Sequence, residues 1–234
     1  MSLTRTTRLA IGIPLAVVLL VVAAPWVYLR FIRADTPDRL GIDGGTTAST
    51  AATGGSSQAA GPFTIDGTWK VGSGSEAGYR VEEILFGQAA TAVGRTSNVT
   101  GELAIDGRSV TAGSFSVDLA SVASDESRRD NQFRTRIMDV ARFPTATFRL
   151  TQPIDLASVP EGGPATVRAT GDLTLRGTTK PVTVALQAQR SGSGIEVAGS
   201  IPIVFEEWGI PNPSFGPART EDRGDIEFKL VFAR

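Results

Sequence analysis

Gly171-Asp172-Leu173-Thr174-Leu175-Arg176-Gly177-Thr178-Thr179-Lys180-Pro181-Val182-Thr183-Val184 reads as two β-strands joined by a turn. Leu173 and Leu175 fall on one face and Asp172, Thr174 and Arg176 on the other, the period of a half-buried strand. Gly177 breaks the first strand. Pro181 stands near the start of the second, where a missing N–H costs least. Val182, Val184 and Leu186 then alternate with Thr183, Ala185 and Gln187.

The same alternation extends to both sides. Val99, Gly101, Leu103 and Ile105 share one face, and Asp106-Gly107 turns the chain before Val110. Phe115, Val117 and Leu119 alternate with Ser114, Ser116 and Asp118, Phe148 and Leu150 with Thr147 and Arg149, and Ile201, Ile203 and Phe205 with Pro202 and Val204. Phe228, Leu230 and Phe232 close the chain. Turn signals separate these runs at Gly162-Gly163-Pro164, Ser191-Gly192-Ser193-Gly194 and Gly224. About eight antiparallel strands result, a number suited to a sandwich or a small closed barrel.

One segment departs from this period. Ser124 to Asp139 is highly charged, and Phe133, Ile137 and Val140 recur at helical spacing. A short helix is expected there, capped by Ser124 or Ser127 and ended by Phe143-Pro144. It would cover one end of the barrel. Phe133, Ile137 and Met138 then either plug the core or gate a cavity.

Composition excludes several chemistries. The chain contains no Cys and no His, so it has no disulfide, thiolate nucleophile, Ser-His-Asp triad or His/Cys zinc site. No cofactor is expected. The formal net charge is −1, without the clustered positive charge of a nucleic-acid footprint. Glu206-Glu207 and Glu221-Asp222 are adjacent carboxylates, but neighbours on a strand face opposite ways and make no acid/base couple. The chain is not expected to be an enzyme.

Three parts follow along the chain: an anchor over residues 1–33, a linker over 34–62 and a β domain over 63–234. Leu9 to Leu29 is a run of 21 residues without a charge, flanked by Arg5 and Arg8 and by Arg30 and Arg33. About 20 apolar residues span a bilayer core. Trp26 and Tyr28 stand where an aromatic belt would lie. An N-terminal transmembrane helix is therefore expected. Val22-Ala23-Ala24 would suit a cleaved signal peptide instead, but Pro25 follows the cut. Basic residues on the two sides do not decide orientation, and export of the C-terminal domain is the simplest topology. Gly41 to Gly61 is rich in Gly, Thr, Ala and Ser, a composition that cannot offset its ordering entropy and reads as a flexible tether.

Three motifs carry a resemblance. Arg129-Asp130-Asn131-Gln132-Phe133-Arg134, Phe143-Pro144-Thr145-Ala146-Thr147-Phe148 and the stretch from Gly171 to Val182 occur in the order and spacing of the YceI-like polyisoprenoid-binding family. They resemble its RDxxLR, FPTATF and GDLTIRGVTKPV signatures, and the likeness covers about residues 66 to 234. Two segments depart from the pattern: Glu76 to Val81, which lacks a His, and Glu206 to Gly216.

The resemblance implies an eight-stranded antiparallel lipocalin-like barrel; the short helical segment, the N-terminal transmembrane helix and the flexible linker are read from the residues as above. It implies a binding protein for an isoprenoid chain, of polyprenyl phosphate or quinone type. The membrane, through the N-terminal helix, is the second expected partner. No nucleic acid is expected, and a homodimer is left open. Tyr79, Val81, Phe115, Val117, Phe133, Ile137, Phe148, Leu173, Leu175, Phe205 and Trp208 are the candidate ligand contacts. A barrel of this size is also able to fill itself with side chains, which would make it a packed interaction module. Trp208 to Phe215 is either a rim contact or a rigid turn. Arg128, Arg129, Arg134 and Arg136 either hold a headgroup or pair with Asp125, Glu126, Asp130 and Asp139.

Overall fold

The computed structural model describes residues 36–42, 65–156, 164–191, 194–216 and 218–234. The apolar run with Trp26 and Tyr28, the expected turn at Gly162-Gly163 and most of the expected linker lie outside these residues. Among the described residues no helix is long and apolar enough to cross a membrane.

Thirteen strand segments follow one another: β1 (Gly67–Val71), β2 (Glu76–Leu85), β3 (Gln88–Thr96), β4 (Val99–Asp106), β5 (Ser109–Asp118), β6 (Ala123–Ser124), β7 (Thr145–Leu150), β8 (Ile154–Asp155), β9 (Ala165–Leu175), β10 (Thr178–Ser191), β11 (Gly194–Val204), β12 (Ala218–Thr220) and β13 (Arg223–Ala233). All pairings are antiparallel. The path β1-β4-β5-β7-β9-β10-β11-β13 returns to β1, so the sheet is a closed eight-stranded barrel. The remaining segments prolong these strands. β1 and β2 both pair with β13, at Lys70↔Ala233 and at Arg80↔Asp225, so they are two halves of one bent strand. β3 extends β4 in the same way, pairing with β2 where β4 pairs with β1. Closure removes the open edges that would otherwise template aggregation.

Alternation sets which residues face inward. Leu173 and Leu175 are buried on the inner face of β9, and Val184 lies on that of β10. The hairpin read from the sequence forms with Leu175↔Thr178 in register, and Arg176 and Gly177 both take positive φ at its turn. Pro181 is inside β10 rather than at its start, paired with Asp172. It is tolerated because β10 meets β11 only from Leu186 onward, so Pro181 lies where the strand has one neighbour.

The wall is thus split between β10 and β11 at one end. A 3-10 turn, Glu206–Trp208, fills the split. Trp208 is buried beneath Lys180, whose Nζ lies 5.6 Å from the ring centroid and 3.0 Å from the Glu207 carboxylate.

The helical segment is shorter than expected. Helix α1 covers Ser127–Gln132, and a π-helical turn covers Phe133–Ile137. Neither serine caps it. Glu126 is the N-cap, accepting from the Arg128 N–H at 3.1 Å, because the Ser124 hydroxyl is bonded to Asp130 at 2.6 Å. The wide turn bonds Met138 N–H to Phe133 C=O, which brings two residues five apart onto one face. Asp139, at φ +48°, ends the segment before Phe143-Pro144 is reached.

Residues 36–42 change the expected linker. This segment lies as a strap on the outside of the wall. The Pro37 carbonyl accepts from Arg80 Nη2 at 2.7 Å, the Asp38 carbonyl accepts from Arg95, and Arg39 Nη1 reaches Asp225 at 2.8 Å and Glu227 at 3.2 Å.

Candidate functional site

The interior is hollow. One chamber, of about 660 Å³, lies under α1 and its π-turn. A second, of about 630 Å³, lies toward the turn between β4 and β5. We call them the helix-end and far chambers. Ala77, Val117, Ala146, Leu175 and Ile226 line both, so the chambers abut at a waist of mostly small side chains. Each falls within the volume range of small-molecule sites.

Placement of the aromatic rings leaves the space open. Tyr79 is directly opposite Gly94, Phe115 opposite Gly101 and Phe228 opposite Gly199. A Cβ on Gly101 would meet the Phe115 ring at 2.7 Å, and one on Gly199 the Phe228 ring at 2.8 Å. Each ring therefore lies across its glycine, flat along the wall, instead of reaching into the lumen. Phe115 further stacks on Phe148 at 6.4 Å and meets Phe232 at 5.7 Å, forming one aromatic side of the far chamber.

The far chamber holds Phe115, Val117, Phe148, Leu173 and Leu175 from the expected contacts. The helix-end chamber holds Tyr79, Val81, Val117, Phe133, Ile137, Leu175 and Phe205. Trp208 lines neither and belongs to the packed seam. Its loop divides its two aromatics: Trp208 is buried, whereas Phe215 is exposed and lines the helix-end chamber. In this segment Phe133 and Met138 are both buried and both line that chamber, so plug and gate describe the same side chains.

In the polar part of this chamber sequence reasoning found Arg128 and Arg129 but missed Glu83. Glu83 is buried in its wall, two and four residues from Val81 and Tyr79 on the inner face of β2. That parity was the available signal. Arg129 reaches Glu83 at 3.5 Å and also pairs with Asp125. Burial by itself would lower the Arg129 pKa, but the two carboxylates outweigh it and hold the charge above its ordinary range. Tyr79 stacks on Phe133 at 5.2 Å. Burial pushes its phenol up to about 12 against the pull of Arg129. Of the four arginines considered for a headgroup, Arg128 and Arg129 line the chamber, and Arg136 instead donates to the Asn212 carbonyl at 3.2 Å. Among the described residues no cluster of acidic side chains is arranged to hold a metal.

Such a barrel can enclose an elongated apolar molecule, and comparison with known proteins agrees with its architecture. A YceI-like domain is matched over residues 63–232. The chain belongs to the YceI-like family. It is 31% identical over 145 residues to a UPF0312 protein of Shewanella denitrificans, covering 57% of this chain and 71% of that one. A UPF0312 protein of Vibrio cholerae is 30% identical over 126 residues, covering 50% and 64%. Among solved structures, the YceI-like barrel resembles a polyisoprenoid binding domain from Saccharophagus degradans implicated in plant cell wall breakdown, with a TM-score of 0.56 at 16% identity over 71% of this chain and 97% of that one. It also resembles BcnA of Burkholderia cenocepacia, with a TM-score of 0.55 at 21% identity over 69% and 98%. At these identities the structural likeness is one of fold.

Proposed function

We propose that this YceI-like barrel is a membrane-tethered, extracytoplasmic binding protein that holds one isoprenoid chain along its two chambers. The carrying observation is the pair of abutting apolar chambers with a common waist. An isoprenoid is long, flexible and hydrocarbon, and it needs continuous apolar wall more than hydrogen-bond partners. Each buried CH2 contributes about 0.8 kcal/mol, so a few five-carbon units give useful affinity before ordering costs. The name of the Saccharophagus relative supports the ligand class, and the apolar run Leu9–Leu29 supports the tether. Binding without catalysis is the role we assign. A packed interaction module would need a filled interior, which chambers of this size disfavour.

The test is lipid extraction from the full chain purified in detergent, compared with Ala146→Phe, which narrows the waist. An isoprenoid near one per chain in the wild type, lost or shortened in the variant, supports the reading and identifies the headgroup. Equal lipid in both proteins would show only annular lipid and sink it.

A further inference from the structure

We propose that the helix end of the barrel seats its mouth in a lipid bilayer, through an apolar rim of Phe86 and Phe215 flanked by Ile84 and Val204. This rests on the membrane-tethered reading and adds which end meets the membrane.

Among the described residues the large hydrophobic side chains left exposed are Ile84, Phe86, Val204 and Phe215, at 46%, 50%, 43% and 60%. Single exposed hydrophobics scattered over a surface need no explanation. These are not scattered. Phe86 is in the turn between β2 and β3, and Ile84 is two residues before it, in register with Arg219 of β12. Phe215 bridges to Ala218, whose partner on β2 is Leu85. Val204 ends β11 in register with Arg223, which starts β13. All four therefore belong to the same end of the barrel. Phe86 and Phe215 also line the helix-end chamber, so its apolar wall continues outward into exposed apolar surface.

Phe86 is held there against local preference. It has φ +50° and is followed by Gly87 at φ +81°. Two consecutive positive-φ residues closing a hairpin ordinarily call for Asn-Gly or Gly-Gly. A bulky aromatic at the first position is disfavoured by its Cβ and is found where something other than the turn selects it.

The strap explains why the occupant is a bilayer and not a second copy of the chain. The apolar run ends at Leu29 and the strap begins at Thr36. The residues between, Arg30 to Asp35, reach at most about 20 Å when extended. The strap grips Arg80, Arg95, Asp225 and Glu227, beside Gly78, Tyr79, Val81 and Ile226, which line the helix-end chamber. A bilayer holding the apolar run is thereby kept within reach of this end. Arg30 and Arg33 fall in the short connection, where anionic headgroups would meet them.

The chain contains no cysteine, so F86C and F215C each carry one nitrobenzoxadiazole label, and D106C at the end of β4, beside its turn into β5, reports on the opposite end. The full chain is reconstituted in vesicles of phosphatidylethanolamine and phosphatidylglycerol. Labels at 86 and 215 are expected to shift to the blue, to be quenched by nitroxide lipids, and to be shielded several-fold from iodide relative to 106. In an F86N/F215S background, which removes both rim rings, a label at I84C should lose that shielding. Vesicle-bound chains whose labels at 86 and 215 are as open to iodide as the one at 106 would overturn the rim and leave the tether standing. Shielding that appears without vesicles would overturn it in favour of self-association. Chains that do not float with vesicles would overturn rim and tether together. Bound isoprenoid is scored separately by extraction, so neither result stands in for the other.

Discussion

The two chambers are nearly equal in volume and opposite in construction. The far chamber is walled by paired strands, with Phe115, Phe148 and Phe232 along one side and Asp66, Arg108, Gln189 and Arg190 also in its lining. The helix-end chamber is roofed by a π-turn, bordered by a split between β10 and β11, and carries Glu83 and Arg129 in its lining. Its outer wall is buttressed by the strap and by Glu227, which is 2% exposed and faces Arg80 at 2.6 Å. An apolar hole needs only alternation and well-placed glycines. The buried charges, Arg80, Glu83 and Glu227, lie on β2 and β13 beside the helix-end chamber, and there the fold is most open to being broken by one substitution.

The largest break should come from Glu227→Gln. It leaves Arg80 buried beside a neutral partner, and such losses cost about 3–5 kcal/mol. Urea unfolding should show this, together with faster proteolysis around residues 36–42 as the strap is released. Arg80→Met combined with Glu227→Leu should recover part of the loss, because the buried pair then goes together while Arg39 and Arg95 still lose Glu227. If Glu227→Gln is neutral, the outer charge cluster is ornament and the contrast between the chambers weakens.

Alkaline titration sharpens the contrast next. The folded state favours the neutral Tyr79 phenol, whose pKa rises from 10.0 to about 12. Its contribution is therefore complete below pH 10 and is lost as pH rises to about 12. The expected fall in unfolding free energy is about 2–3 kcal/mol over that interval. Tyr79→Phe should remove that pH dependence, whereas the far chamber contains no tyrosine to produce one.

Ala146→Phe at the waist should change stability by less than about 1.5 kcal/mol, since the ring enters existing space. Its main readout is the shorter hydrocarbon retained. The smallest effect should be Lys180→Met at the seam. That pair is substantially exposed, so loss of the ion pair and the ring contact together should cost no more than about 1 kcal/mol in thermal unfolding.

The far chamber was the more legible of the two. Leu173, Leu175, Phe115, Val117 and Phe148 stand at strict two-residue spacing, and spacing alone directs them inward. The helix end hid its features in several ways. The sequence groups Met138 with Phe133 and Ile137, but nothing local announces the wide turn that sets Met138 on their face. Glu83 shares the inward parity of Tyr79 and Val81, but a carboxylate reads as outward until its arginine, 46 residues later, is brought beside it. Trp208 reads either as a rim contact or as part of a rigid packed turn, and the sequence does not show the split it fills, which arises from the register of β10 on β11. The strap was hidden most completely. Its residues fall within the bounds of the expected linker, and Arg39 finds Asp225 across 186 residues of sequence.

The rings lying flat on their glycines have a volumetric consequence. Side chains that line a wall without meeting across it leave the folded molecule larger than its atoms require. Unfolding lets water into that space, so the system shrinks as the barrel opens, and compression favours whichever state occupies less volume. The empty barrel should therefore be unusually sensitive to hydrostatic pressure. A molecule that fills both chambers should raise the pressure of half-unfolding by more than its effect on melting temperature would suggest.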